Sequence, residues 1–169
     1  MRNDVAYNEY SREVLDQLAN GGAFLTVKVG DKVNTMAIGW GSICYMWGRP
    51  GLTVMVRYSR YTYDLLEQAG EFTVSVPKTS ELKKELSFCG RHSGRDVDKF
   101  KECSLTMLEG KAVATPVIKE CALHFECKTI YRQVMEPGLL APEIKEDCYK
   151  NHNYHRFYIG EILASYRTA

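Results

Sequence analysis

Short segments in which apolar and polar residues alternate recur along the chain and predict a protein built mainly of β-strands. They are rich in Val, Ile, Thr, Tyr and Phe, the residue types that fit a pleated, half-buried surface. The strand-like segments are 23–29, 32–40, 43–47, 52–57 and 71–77, with two longer ones at 122–134 and 155–166. Gly30–Asp31 and the tripeptide Arg49–Gly51 carry turn residues, so we predict tight turns at both places.

Three stretches have the apolar spacing of short amphipathic helices instead. They cover residues 8–22, 62–70 and 79–90. In the third, Thr79 or Ser80 is a suitable N-terminal cap, and Gly90 is predicted to lie just past the end. The polar, proline-containing stretch 135–153 predicts an exposed loop.

The order of these elements excludes a doubly wound parallel sheet. Parallel neighbours need a crossover of a dozen or more residues, and the early strands follow one another too closely for that. A mainly β fold, an antiparallel β-barrel with short peripheral helices, fits the pattern. The 169 residues suit a single domain covering 1–169, which is long enough to bury a real core.

Composition narrows the function classes. With 22 Lys and Arg against 21 Asp and Glu, the net charge is +1, so we expect neither nucleic acid nor an acidic membrane surface as a partner. No apolar run approaches the ~20 residues of a membrane-spanning helix. The first residues lack the apolar core of a signal peptide, and we therefore expect a cytoplasmic protein.

The cysteines and histidines do not form a recognisable catalytic or metal motif. The six cysteines show no CxxC spacing and are expected to be reduced thiols, so we predict no metal site. His152 and His155 are interpreted as an incidental surface pair. No Ser-His-Asp, Cys-His or paired-carboxylate arrangement stands out, so we assign no catalytic side chain and expect any chemistry to be a cofactor's.

One segment, 56–70, gathers positive charge and hydroxyl groups in front of a short helix. Arg57 and Arg60 can supply charge-assisted hydrogen bonds, and Ser59 and Thr62 can each donate from a hydroxyl group. Together with the free N–H groups of a helix start they would form a cradle for one phosphate. The alternative is that Ser59 or Thr62 only caps the helix while the arginines face water.

Two further segments could complete a ligand site. Residues 89–100, "CGRHSGRDVDKF", are basic and glycine-rich and could add anion contacts, although they match no phosphate-loop pattern. A polar loop capped by Asp96 or Asp98 is the alternative. Residues 34–50, "NTMAIGWGSICYMWGRP", interleave small and large residues, so a flat group could lie close to the backbone. A barrel corner that needs glycines to bend is the alternative there.

These three segments, in this order and with "HRFYIGEI" near the end, resemble the flavin reductase-like family, which includes the flavoredoxins. The resemblance runs from about Gly22 to Leu163. It implies an FMN-binding split β-barrel with FMN bound at a homodimer interface. Many relatives carry Thr where this chain has Ala37, a departure next to the expected ring position.

The resemblance also implies a role for each matching residue. The isoalloxazine ring and ribityl chain would lie beside Met36, Ala37, Ile38, Gly39, Trp40 and Ser42. Arg57, Ser59 and Thr62 would hold the phosphate, with Tyr58 and Tyr61 packing nearby. Cys89, Gly90, Ser93 and Lys99 would close the pocket.

The implied activity is that of an oxidoreductase. Electrons would pass from NADH or NADPH through bound FMN to a small-molecule or protein acceptor: a free flavin, a ferric complex or a protein. Two alternatives remain: a non-catalytic FMN electron carrier between partner proteins, and a barrel that binds no flavin.

Overall fold

The computed structural model describes residues 1–168, and strands dominate it. The ten strands are β1 Arg2–Asp4, β2 Ala23–Val29, β3 Lys32–Ile38, β4 Gly41–Met46, β5 Arg49–Arg57, β6 Glu71–Val76, β7 Met107–Leu108, β8 Val117–Ile118, β9 Leu123–Val134 and β10 His155–Thr168. Eight form one antiparallel sheet in the order β3-β2-β6-β9-β10-β5-β4, with β1 added to β10. The predicted mainly β fold is confirmed.

Five short α-helices and one 3₁₀ turn lie around this sheet. They are α1 Ser11–Asn20, α2 Tyr61–Leu66, α3 Lys83–Arg91, α4 Lys99–Glu102 and α5 Pro142–Cys148, with the 3₁₀ turn at Pro137–Leu139. Among residues 1–168 no helix has the length and apolar character needed to cross a membrane. α3 packs on β3, and α2 packs against β2, β3 and β5.

The pairing of the two longest strands, β9 and β10, is irregular. The register between β9 and β10 shifts beside Gly160. A Cβ atom at Gly160 would lie 2.6 Å from Phe72 Cζ, so only glycine lets the strand approach the core this closely. The main core contains large buried side chains such as Phe125 and Tyr158, whereas Phe24 belongs to a second cluster with Leu86 and Phe100.

The turn predicted at Arg49–Gly51 is wrong, because the chain reverses two residues earlier. Trp47 and Gly48 both have positive φ, 53° and 71°, the pattern of a two-residue hairpin turn that matches the twist of the strands. Arg49 already begins β5 and pairs with Met46. A tryptophan gave no sequence signal for this conformation, whereas Pro50 gave a misleading one.

Helix boundaries differ from the prediction at two more places. α3 begins at Lys83 and continues to Arg91, so Gly90 lies inside it, and neither Thr79 nor Ser80 caps it. The stretch 135–153 is exposed for much of its length, but it contains the 3₁₀ turn and α5 rather than only loop. Asp98 caps α4 with bonds to two backbone N–H groups, as one of the two alternatives for this segment required.

Candidate functional site

Two adjoining cavities open where the ends of β3 and β5 meet α2 and α3. The first, the ring cavity, encloses about 200 Å³ and is lined by Met36, Ala37, Ile38, Gly39, Trp40, Met55, Arg57, Arg60 and His155. The second, the anion cavity, encloses about 110 Å³ between β3, α2, α3 and the loop at 92–95. Both are lined by Met36 and Arg60. Each is smaller than the roughly 300–1,000 Å³ typical of a small-molecule site, whereas the two together reach the lower end of that range.

The ring cavity has a wall of strand backbone and small side chains. Ala37 and Gly39 leave the backbone of 36–40 accessible from the cavity, while Met36 and Ile38 are almost fully buried. Trp40 covers one side, with its ring centroid 5.2 Å from that of His155. Such a wall can accept a flat ring and offer it backbone N–H and C=O groups.

His155 is part of this cavity, so its interpretation as a member of a surface pair is wrong. It is 7% exposed, whereas His152 is exposed. Its Nδ1 lies 2.7 Å from the hydroxyl oxygen of Tyr149. Burial, with a smaller contribution from Arg57 and Arg60, lowers the pKa of His155 to about 4, so the ring is neutral at pH 7.

Arg57 lies on the ring side of the site and is tied to the 148–153 segment. Its Nη1 donates to the carbonyl oxygen of Asn153 at 2.5 Å, and Nη2 donates to that of Cys148 at 3.1 Å. The Asn153 amide in turn donates to Ser59 Oγ at 2.7 Å. Two of the three residues assigned by resemblance to the phosphate, Arg57 and Ser59, are therefore engaged with this segment.

The anion cavity collects positive charge. Arg60, Arg91, Arg95 and Lys99 line it, and its lining contains no Asp or Glu. Arg95 forms an ion pair with Asp64 on the surface side. This donor set suits a doubly charged phosphate group.

Lys99 is the strongest indication that this cavity binds an anion. It is 5% exposed, and its Nζ donates to the carbonyl oxygens of Thr35 and Cys89, both at 2.9 Å. An ammonium group has three hydrogens, so one remains, and within residues 1–168 no carboxylate pairs with it. Burial lowers the pKa of Lys99. A buried charge without a counter-ion is costly, and an anion in this cavity would offset that cost.

Thr62 supplies a second donor, and the alternative that Ser59 or Thr62 caps α2 is wrong. Arg60 is the N-cap residue, and no side chain caps this end. Thr62 is 1% exposed and accepts a hydrogen bond from Asn34 Nδ2 at 2.9 Å. α2 has only six residues, so anion binding here rests on the side chains. The donors fit a phosphate group, and the neighbouring wall fits a flat ring.

Most of the predicted site residues line one of the two cavities. Met36, Ala37, Ile38, Gly39, Trp40 and Arg57 line the ring cavity, and Ser59, Tyr61, Thr62, Cys89, Gly90, Ser93 and Lys99 line the anion cavity. Ser42 and Tyr58 line neither. Ser42 lies opposite Thr53 in the sheet, and the Tyr58 ring packs edge-on against Tyr63 at 5.2 Å.

Sequence reasoning missed several lining residues, namely Asn34, Met55, Arg91 and His155. An asparagine inside an alternating strand segment is a weak signal that could have drawn attention to Asn34, because this residue type is depleted in strands. His155 begins β10 and pairs with Arg57, a relationship that only strand register reveals.

Cys89 is a buried thiol at the site. Cys89 lines the anion cavity, and its Sγ lies 4.0 Å from that of Cys103. Burial, the largest cause, raises the pKa of Cys89 to about 12, so little thiolate forms near neutral pH. All six cysteines are free thiols, and residues 1–168 contain no cluster of His, Cys, Asp or Glu that could hold a metal ion.

Comparison with known proteins connects this geometry with one family. A family model described as a flavin reductase like domain matches residues 15–167. The chain is 37% identical over 140 residues to an uncharacterized protein of Archaeoglobus fulgidus, covering 83% of this chain and 68% of that protein. Relatives of known structure extend the comparison.

Two of the similar solved structures are flavoredoxins. That of Methanosarcina acetivorans is 32% identical with a TM-score of 0.67, covering 88% of this chain and 68% of the other. That of Desulfovibrio vulgaris (Miyazaki F) is 26% identical with a TM-score of 0.67, covering 86% and 68%. The chain thus spans about two thirds of the length of these relatives. It belongs to the flavin reductase-like family, and this membership supports a flavin-related function.

Proposed function

We propose that this protein is an FMN-dependent oxidoreductase that takes electrons from NADH or NADPH and passes them to a flavin, ferric or protein acceptor. The observation that carries the proposal is the contact between a flat-walled cavity and a cationic one. They meet at Met36 and Arg60, so a ligand that joins a flat ring to a phosphate can occupy both. FMN has this shape, and family membership supports it.

In this arrangement the backbone of 36–40 would hold the ring, and Arg60, Thr62 and Lys99 would hold the phosphate. When bound, FMN would supply the hydride and electron chemistry. Arg57 and Arg60 place positive charge beside the ring cavity, which favours a ring that gains negative charge. No side-chain acid or base is needed for hydride transfer, and His155 is neutral and packed.

We also propose that the protein acts as a homodimer. Strand alternation places Met55 and Arg57 on the outer face of β5, where β10 presents Phe157 and Ile159 beside them. The ring cavity opens onto this face, so a second copy would close its open side. Light scattering after size-exclusion chromatography tests this proposal, and a monomer at micromolar concentration would contradict it.

A second candidate is an electron carrier without a productive nicotinamide site. The two flavoredoxin relatives favour it. Trp47 and Tyr131 form an exposed aromatic pair, with ring centroids 5.8 Å apart, which could contact a protein partner.

The visible absorption spectrum of the purified protein, followed by anaerobic titration with NADH and NADPH, separates these functions. Rapid loss of the flavin absorbance supports the oxidoreductase. A flavin that stays oxidised under excess of both nucleotides supports the carrier. Colourless protein that also fails to bind added FMN contradicts both.

Variants test whether FMN binds in these two cavities. We expect Arg60→Ala to weaken FMN binding roughly ten- to a hundredfold, because a charge-assisted contact to phosphate is lost. Arg49→Ala is the matched control, because Arg49 pairs with Glu161 away from both cavities. Equal FMN affinity in the two variants would show that Arg60 does not bind the phosphate.

A further inference from the structure

Asn34 and Thr62 form a buried side-chain pair at the floor of the anion cavity. Asn34 lies in β3 and is 5% exposed, and Thr62 lies in α2 and is 1% exposed. Asn34 Nδ2 donates to Thr62 Oγ1 at 2.9 Å. Both residues line the anion cavity, and neither carries a charge.

This bond determines whether the hydroxyl group of Thr62 donates a hydrogen bond to a ligand or accepts one. A threonine hydroxyl has one hydrogen to donate and lone pairs that accept. Asn34 occupies the acceptor side, and within residues 1–168 the Thr62 hydrogen has no acceptor. Because Thr62 is buried and lines the cavity, that hydrogen is available to a ligand in it.

Gly94 restricts the other end of the Asn34 amide. A Cβ atom at Gly94 would lie 2.0 Å from Asn34 Oδ1 and 3.2 Å from the Tyr61 ring. The loop at 92–95 therefore closes directly over the amide oxygen. With this loop on one side and Thr62 on the other, the amide has little room to turn.

We propose that Asn34 is a positioning residue that makes Thr62 a dedicated hydrogen-bond donor, and that the pair selects a flavin ending in phosphate over one ending in a hydroxyl group. The inference rests on the proposed function, since it concerns the same cavity. A phosphate dianion only accepts hydrogen bonds, and a charge-assisted bond is roughly twice as strong as a neutral one. Riboflavin, which lacks the phosphate, gains less from the same donor.

The test is the affinity of the apoprotein for FMN and for riboflavin, measured by quenching of flavin fluorescence. We expect Asn34→Ala and Thr62→Val each to weaken FMN binding about tenfold and riboflavin binding less than threefold. The double variant should lose little more than Thr62→Val alone, because Asn34 acts only through the Thr62 hydroxyl group. Thr62→Ser, which keeps the hydroxyl group, should restore most of the preference for FMN.

Three outcomes overturn the inference. The first is a parallel loss of FMN and riboflavin affinity, which indicates a merely structural role. The second is additive losses in the double variant. The third is unchanged FMN affinity in both single variants. If the wild-type protein binds neither flavin, the proposed function fails as well, whereas failure of the variants alone leaves it standing.

A variant of unchanged volume covers the case in which Asn34→Ala does not fold. Asn34→Asp has the same size, but its carboxylate only accepts, so it draws the Thr62 hydrogen away from the cavity. We expect it to lower FMN affinity more than riboflavin affinity, and to do so less in a Thr62→Val background. An equal FMN loss in both backgrounds would show that the new charge acts alone and would overturn the pairing.

Discussion

The guanidinium group of Arg57 lies over the ring of Tyr149, 5.0 Å from its centroid, and donates to the carbonyl oxygens of Cys148 and Asn153. One arginine thus fastens the end of β5 to a segment more than 90 residues later in the chain. Arg60, three residues further on, lines both cavities and donates to the Gly90 carbonyl at 3.0 Å. The two arginines therefore have separable roles.

The first prediction concerns the hydrogen bonds by which Arg57 restrains the 148–153 segment. Arg57→Ala removes two charge-assisted bonds to backbone carbonyls, so the 148–153 segment should open more often. We expect trypsin to cleave after Lys150 roughly tenfold faster, since about 1.4 kcal/mol corresponds to a factor of ten. Limited proteolysis with mass spectrometry measures the rate. Arg60→Ala is the control, and faster cleavage in that variant alone would reverse the assignment.

A second prediction follows from the two glycines of the anion cavity. Gly94→Ala should displace the Asn34 amide, because the new Cβ atom would lie 2.0 Å from its oxygen. We expect FMN affinity to fall about tenfold, the value of one charge-assisted bond. Gly90→Ala is the matched control, since its Cβ would meet Ala37 Cβ at an ordinary 3.5 Å. Isothermal titration should show similar affinities for Gly90→Ala and wild type, and a larger loss at Gly90 would contradict the geometry.

A third prediction concerns acid sensitivity. Burial lowers the pKa of both His124 and His155 from 6.5 to about 4. Between pH 6.5 and 4 the unfolded chain binds protons that the folded chain does not, so stability falls as the pH falls through this window. The full loss is on the order of 3 kcal/mol for each histidine.

Urea unfolding at pH 7 and at pH 5 measures this dependence. His155→Asn should reduce the difference between the two free energies of unfolding, because one titrating group is gone. His152→Asn, in an exposed position, is the control variant. An equal pH dependence in wild type and His155→Asn would show that His155 does not contribute.

A fourth prediction separates folding from binding. Glu126 is fully buried and accepts from the backbone N–H groups of Lys111, Ala112 and Val113 and from the Tyr166 hydroxyl. Glu126→Gln turns one acceptor into a donor that faces other donors, so we expect a loss of roughly 2–3 kcal/mol in the free energy of unfolding.

The control is Glu120→Gln on the surface, where the carboxylate accepts from Thr106 N–H. It should cost less than about 1 kcal/mol, because water can replace the lost bond. FMN affinity should stay unchanged in both variants, since neither residue lines either cavity. A large loss of affinity in Glu126→Gln would show that the strands transmit strain to the site.

The local sequence determined the strands and the position of the site along the chain. Alternation of apolar and polar residues is a local property, and it located the β3 segment and the long C-terminal strands. Ala37 and Gly39 lie within one segment and Arg57 and Arg60 within another, so the sequence alone pointed to both parts of the candidate site. Three-residue strands such as β1 have too few positions to show a period, and they were missed.

The tertiary structure decided which side chain faces which cavity. Lys99 reaches a carbonyl 64 residues away, and Asn34 reaches a hydroxyl group 28 residues away, so neither burial could be read from neighbouring residues. The same holds for Arg57, which turns toward the ring side because the register between β5 and β10 places His155 opposite it. The charge and type of each residue can be read directly from the sequence. The burial of a side chain, the direction in which it points and its hydrogen-bond partner depend on contacts between distant segments.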